Sequence, residues 1–292
     1  MTGIPQSDVK TREQIIACVN EAMRLAFIIR PEIERRKFQA LKKAASVSIE
    51  KIAEDPAYAQ ILCYPKCEKV ELRKRLKELR TLGVTALEFA GHKRVSNVNV
   101  LGKGCVGIVL VARVSNRRAA LKVRRLDADR SAMRHEAEML EKANFVKVGP
   151  KLLGFTGNTV LMEFVDGLLL PEWLEQRVQK RLVRKVLRHV LEQCWLLDSI
   201  GLDHGELSHA PKHIIVDKAN RPFIVDFETA SVNRRPANVT SICQFLFISG
   251  VAGEVAEKVG ERDKEAVVEA LRFYKSCRSR ESFEAVLKAC SL

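Results

Sequence analysis

The segment Leu101-Gly-Lys-Gly-Cys-Val-Gly-Ile-Val109 carries glycines at 102, 104 and 107, with Lys103 and Val109 among them. Glycines at this spacing let backbone N–H groups approach phosphate oxygens that a Cβ would hold off, although three glycines so close also suit a plain hairpin turn. Further on comes Ala120-Leu-Lys122-Val123. A lysine within an apolar strand needs an anionic partner unless it lies on an exposed edge. Glu136 in the next helix is the candidate partner, and Glu138, roughly 200° around that helix, is its rival. Two more acidic stretches follow, Asp203-His-Gly-Glu206 and Ile224-Val-Asp226-Phe-Glu228. A glycine loop, a buried lysine and late carboxylates are the parts that bind phosphate and a divalent cation.

After the glycine loop, Ile108-Val-Leu-Val111 continues as strand, whereas a dinucleotide-binding loop is followed by a helix. Strand, glycine loop and strand again is the pattern of a kinase-type loop. In order and spacing, these motifs together with Val160-Leu-Met-Glu-Phe-Val-Asp-Gly167 resemble the protein-kinase-like superfamily. The chain is most similar there to the compact atypical branch, the RIO kinases and the small kinase of the KEOPS complex, and especially to predicted archaeal Ser/Thr kinases. The resemblance covers about residues 84–250.

It implies a two-lobed α+β fold with ATP and Mg²⁺ between a β-rich lobe and a helical one. Gly102, Gly104 and Gly107 would cover the nucleotide phosphates, and Lys103 and Val109 would belong to the same cofactor-binding segment. Lys122 would bind them while paired with Glu136, and the segment from Glu163 to Val165 would be the hinge that meets adenine. Asp226, in Asp-Phe-Glu where the family commonly has Asp-Phe-Gly, would hold Mg²⁺. The catalytic loop departs from the pattern. Glu206 stands where the family has its aspartate base, and Pro211 falls where an asparagine holds metal. His213 is the expected stand-in for that ligand, though imidazole suits Mg²⁺ less well than oxygen does. Asp203 is a second candidate base. Only about a dozen residues separate Asp226 from the next helical run, with no Ala-Pro-Glu, so an activation segment that docks peptide is not expected. Arg234 and Arg235 in that stretch could meet an acidic substrate or simply be solvated.

The elements that must position these residues follow from periodicity. Apolar stripes Ile15–Phe27, Phe38–Ile52 and Leu72–Leu79 predict helices only over residues 1–83, with Thr11 and Gln14 as a capping box. Strands are expected over 85–89, 94–100, 107–114, 118–123, 151–155 and 159–165, and a helix over 131–143. From Pro171 the pattern is mainly helical, interrupted by short strands at 214–216 and 223–225. The expected domains are a helical extension (1–83), a β-rich lobe (84–165) and a helical lobe (166–292).

Fifty Lys and Arg against 36 Asp and Glu give a net charge of +14, which favours anionic partners without choosing one. There is no secretory leader pattern at Met1–Asp8, and the most apolar run, 242–253, is far shorter than the roughly 20 residues that span a bilayer. Eight scattered cysteines suit a cytoplasmic protein with no membrane partner. Cys63 and Cys67 lack the further ligands a structural zinc needs, which leaves a local disulfide or free thiols. The basic stretch Lys69–Arg80 allows a nucleic-acid module, but the preferred reading of the extension is a surface that docks a protein substrate or partner. Three functions are therefore open: a Mg²⁺-dependent Ser/Thr protein kinase, an ATP-binding switch, ATPase or pseudokinase, and a nucleic-acid-associated binding protein.

Overall fold

The computed structural model describes residues 46–129 and 131–292, so the expected helix at Ile15–Phe27 lies outside the described residues. The described chain is mixed α and β, with an antiparallel sheet and a helical lobe. Strands β1 (Ser46–Ser48), β2 (Val84–Glu88), β5 (Gly102–Lys103), β6 (Gly107–Val114), β7 (Arg117–Arg124), β8 (Leu152–Phe155) and β9 (Thr159–Glu163) form one sheet. Its order is β1-β2-β6-β7-β9-β8, with β5 also on β6, and every pairing is antiparallel. Between β2 and β5 lies a separate hairpin, β3 (Lys93–Val95) with β4 (Val98–Val100), in place of one strand.

β6 and β7 are Val-, Leu- and Ala-rich, and eight residues of each pair in register. Ser115 and Asn116 between them adopt φ of 46° and 64°, the left-handed pair that a tight hairpin turn requires. The register sets Val109 opposite Lys122 and Gly107 opposite Arg124. A Cβ added at Gly107 would lie 3.0 Å from Lys122 Cγ and from the Val123 carbonyl oxygen. The glycine is what lets the lysine stem cross the strand there.

Residues 46–83 are not helical throughout. Ser46–Ser48 is an edge strand on β2, and Ser48 then N-caps α1 (Ile49–Glu54) by accepting from Lys51 N. α2 (Pro56–Leu62) and α3 (Lys69–Thr81) follow. Ile49, Ile52, Leu62, Leu72, Leu76 and Leu79 share one core with Leu87, Leu110 and Leu121 of the sheet. The expected boundary at 83/84 therefore cuts through a single core. Arg75 is fully buried, donating through Nη1 to the carbonyls of Leu62 and Arg124 and through Nε to Glu71. Glu78 accepts from Thr156 Oγ1 and Asn158 Nδ2, so Glu71 and Glu78 both hold contacts with groups of the fold. Cys63 and Cys67 are free thiols, and burial pushes the Cys63 thiol up to about 12.

α4 (Ala132–Phe145) joins the two halves of the molecule. Met139, Leu140 and Ala143 sit in the core of the helical lobe, while Met133 and Ala137 pack on Val160 of the sheet. That second core is built around α5 (Lys180–Ser199), whose Val183, Val186, Leu187, Val190, Leu191 and Cys194 are all inaccessible. A small sheet β10-β11-β12 (Gly167–Leu169, Ile214–Asp217, Pro222–Ile224) rests on it. Among the described residues no single helix is long and apolar enough to cross a membrane. The pair 238–248 and 252–259, bent by 71°, reaches that length and composition together, but its Ile242, Leu246 and Val255 are buried in the core.

Candidate functional site

The hairpin β11–β12 carries the late acidic motif. Ile214 pairs with Ile224, and Val225 N donates to the His213 carbonyl at 2.9 Å. His213 and Asp226 therefore emerge beside each other at the open end of the hairpin. Asp217 fixes the closed end, its Oδ1 accepting from Ala219 N and Arg221 N. Asp226 has φ 72°, a left-handed backbone that a non-glycine residue adopts at a cost and that Asp tolerates better than most. It turns the chain back toward the sheet.

There Asp226 Oδ1 lies 2.8 Å from Lys122 Nζ, Glu228 Oε2 also at 2.8 Å, and Glu136 Oε2 at 2.8 Å. Lys122 and Glu136 are both buried, and Glu138 is exposed. Burial opposes the charge on Lys122, but the carboxylates of Glu136, Asp226 and Glu228 outweigh it and raise its pKa. Burial pushes Glu136 up to about 7 against the pull of the ammonium. Asp226 is held below the usual carboxylate range: burial acts to raise it, and the Lys122 charge and hydrogen bond prevail. One ammonium thus serves three carboxylates. Glu228 is the member that motif spacing did not single out. The αL turn at Asp226 brings it in, and spacing alone carries no signal of that turn.

Glu206 reaches the other side of the cluster. Its Oε2 is 3.0 Å from His213 Nε2, and ligand atoms of Glu206, His213 and Asp226 all lie within 4.8 Å of one another. His213 is 1% exposed. Burial lowers its pKa, and that of His204 to about 4, so both rings are neutral at pH 7. His204 is the anchor of this loop: its Nε2 contacts the Val225 carbonyl, its N–H donates to Asn238 Oδ1, and its own carbonyl accepts from Thr229 Oγ1. Gly205 follows at φ 90°, where a Cβ would come within 2.6 Å of Arg234 Nη2.

Asp203 stands apart from the cluster in its bonding. It exchanges backbone hydrogen bonds with Ser231, and its carboxylate accepts from Arg234 Nε at 2.9 Å and Ala237 N at 3.0 Å. These are the contacts of a loop clamp, which leaves Glu206 as the carboxylate facing His213. Arg234 is bound into the loop in this way, and Arg235 donates to the Lys275 carbonyl.

The glycine segment is a hairpin turn, with Gly102 opposite Val109, Lys103 opposite Ile108, and Gly104 N donating to the Gly107 carbonyl at 2.9 Å. A Cβ at Gly102 or Gly104 would meet nothing closer than 3.7 Å, so packing within the chain does not demand glycine at either position. Lys103 turns to Tyr64, its Nζ 2.8 Å from the hydroxyl and 4.2 Å from the ring centre. At the end of β9, Glu163 N donates to the Lys151 carbonyl, and the Glu163 carboxylate accepts from Lys151 N. The Glu163 N–H is therefore spent within the sheet. Val165 lies half-buried in the connector to β10.

Ligand atoms of Glu206, His213 and Asp226 are close enough together to hold a metal ion, whereas the Lys122 ammonium is already engaged by Glu136, Asp226 and Glu228. No protein-family model matches the chain, and no curated protein matches it.

Proposed function

We propose that the chain is an atypical, two-lobed Ser/Thr protein kinase of the RIO-like type, transferring the γ-phosphate of ATP to a protein hydroxyl. One observation carries the reading. Lys122 from the sheet, Glu136 from α4, and Asp226 from the hairpin of the helical lobe meet within 2.8 Å contacts. Three distant segments converge on one ammonium, and Glu206 and His213 flank it.

The residues fit the groups the reading requires. Two carboxylates and a neutral imidazole within 4.8 Å make a cation donor set. The glycines at 102 and 104, which internal packing does not need, suit close approach of phosphate to backbone. ATP and Mg²⁺ would supply the transferable phosphoryl group and neutralise its charge. Lys122 holds the phosphates, Glu136 orients Lys122, and Glu206 presents its carboxylate toward the acceptor side. Domain roles follow as a β-rich lobe over 84–165 and a helical lobe over 166–292, with 46–83 integral to the first.

The test is ATP titration with and without Mg²⁺, followed by tracing of the γ-phosphate. Lys122→Ala should weaken ATP binding by about 2–3 kcal/mol, the scale of lost charge-assisted contacts. Unchanged affinity would count against the nucleotide site altogether. A second reading, an ATP-binding switch, ATPase or pseudokinase, is favoured by the ion pair between Lys122 and Glu228, which phosphate has to displace. Bound ATP with no phosphate released or transferred would select the non-catalytic form.

A further inference from the structure

We propose that Glu206, His213 and Asp226 bind a first-row divalent transition ion of the Mn²⁺ class in preference to Mg²⁺. The inference deepens the metal side of the phosphotransfer reading and rests on that reading for its use in catalysis, though not for the binding itself.

His213 carries the argument. It is 1% exposed, its backbone is fixed by Ala210 and Val225, and neither ring nitrogen has a hydrogen-bond partner. Nε2 comes within 3.0 Å of Glu206 Oε2, yet the two are not aligned as donor and acceptor. Buried imidazole nitrogens without partners are rare, because the lost solvation goes uncompensated. Two donor atoms that are close without a hydrogen bond between them are both left available to a cation placed between them. Asp226 completes the set, with its ligand oxygen within 4.8 Å of the other two.

The neighbouring acidic group, Glu136, Asp226 and Glu228, differs in kind. The Lys122 ammonium already sits 2.8 Å from each of its carboxylates. In the Glu206 group only Asp226 shares that ammonium, through Oδ1, and the third donor is nitrogen. Mg²⁺ prefers an all-oxygen shell and keeps its waters, whereas imidazole adds affinity for Mn²⁺ and for the ions after it in the divalent series.

The experiment uses the whole chain, stripped of metal and free of nucleotide. Mn²⁺ uptake is read from loss of the free-ion EPR signal, and Mg²⁺ is read by competition. Mn²⁺ should bind about ten-fold or more tighter than Mg²⁺, and the bound ion should show the nitrogen modulation of a directly coordinated imidazole. His213→Asn, with its fold checked by circular dichroism, should lose the modulation and narrow the gap between the two ions. Glu206→Gln should weaken Mn²⁺ while keeping the modulation. No Mn²⁺ uptake, equal affinity for the two ions, or bound Mn²⁺ without nitrogen coupling would each overturn the proposal. ATP binding in Mg²⁺ alone, measured in parallel, separates the two readings. Its persistence beside any of those failures leaves phosphotransfer standing without the triad. A coupled Mn²⁺ site in a chain that ignores ATP leaves the triad standing without phosphotransfer.

Discussion

At Lys122 a single positive charge faces Glu136, Asp226 and Glu228, so the cluster is net negative before any phosphate arrives. A nucleotide must bring a cation and must compete with Glu228 for the ammonium. Glu228→Gln keeps the side-chain shape and removes one competitor. ATP affinity should then rise by about 1 kcal/mol, roughly five-fold, the scale of one charged contact in a partly solvated site. Isothermal titration with ATP and a divalent cation measures it, and a fall in affinity would mean that Glu228 helps to hold the cation. Lys122 was legible in the sequence as a cation in an apolar strand, and Glu136 as the candidate acid in the next helix, whose burial distinguishes it from Glu138. Glu228 was not, since its approach depends on the left-handed turn at Asp226.

At the scale of the element, the loop 203–206 and the hairpin β11–β12 divide their labour between holding and presenting. Asp203 is bound by Arg234 and Ala237, while Glu206 is one-third exposed beside His213. Asp203→Asn should lower stability by about 1–2 kcal/mol and leave turnover per folded molecule nearly unchanged. Glu206→Gln should cost about 10²–10⁴ in turnover. The reverse pattern in steady-state kinetics would move the essential carboxylate to Asp203. Order and spacing gave both acids, but only their surroundings in the fold separate the roles, Asp203 being hydrogen-bonded into the loop and Glu206 standing beside His213.

His204 ties this loop to the hairpin, and its burial has a consequence in pH. Its pKa falls from 6.5 to about 4 on folding, so between those values the unfolded chain takes up a proton that the folded chain refuses. Its stabilising contribution is complete above pH 6.5 and is lost as pH falls toward 4, by up to about 3 kcal/mol. Urea unfolding of His204→Phe should show a lower stability near pH 7 but a shallower decline over that window than the parent. Parallel declines would place the proton uptake elsewhere.

Across the whole molecule, α4 links the core of the helical lobe to a small cluster on Val160 of the sheet, and the described part of the N-terminal region belongs to the core on the sheet itself. That was the part least legible in the sequence. Ile49 and Ile52 continue the helical stripe that begins at Phe38, and a three-residue edge strand such as Ser46–Ser48 is too short to show alternation. Six large apolar side chains of residues 49–79 are buried against or beside the sheet, and each is worth about 1.5–3 kcal/mol. Their sum is on the order of 10 kcal/mol, comparable to the whole net stability of an ordinary domain. A chain begun at residue 84 should therefore lack a cooperative thermal transition, whereas one begun at residue 46 should retain it. Arg75→Ala grades the same dependence. It strands the carbonyls of Leu62 and Arg124 and the charge of Glu71, and should cost about 3–5 kcal/mol. Melting followed by circular dichroism decides the matter. A chain begun at 84 that melts cooperatively near the temperature of the longer one would restore residues 46–83 to a separate docking module.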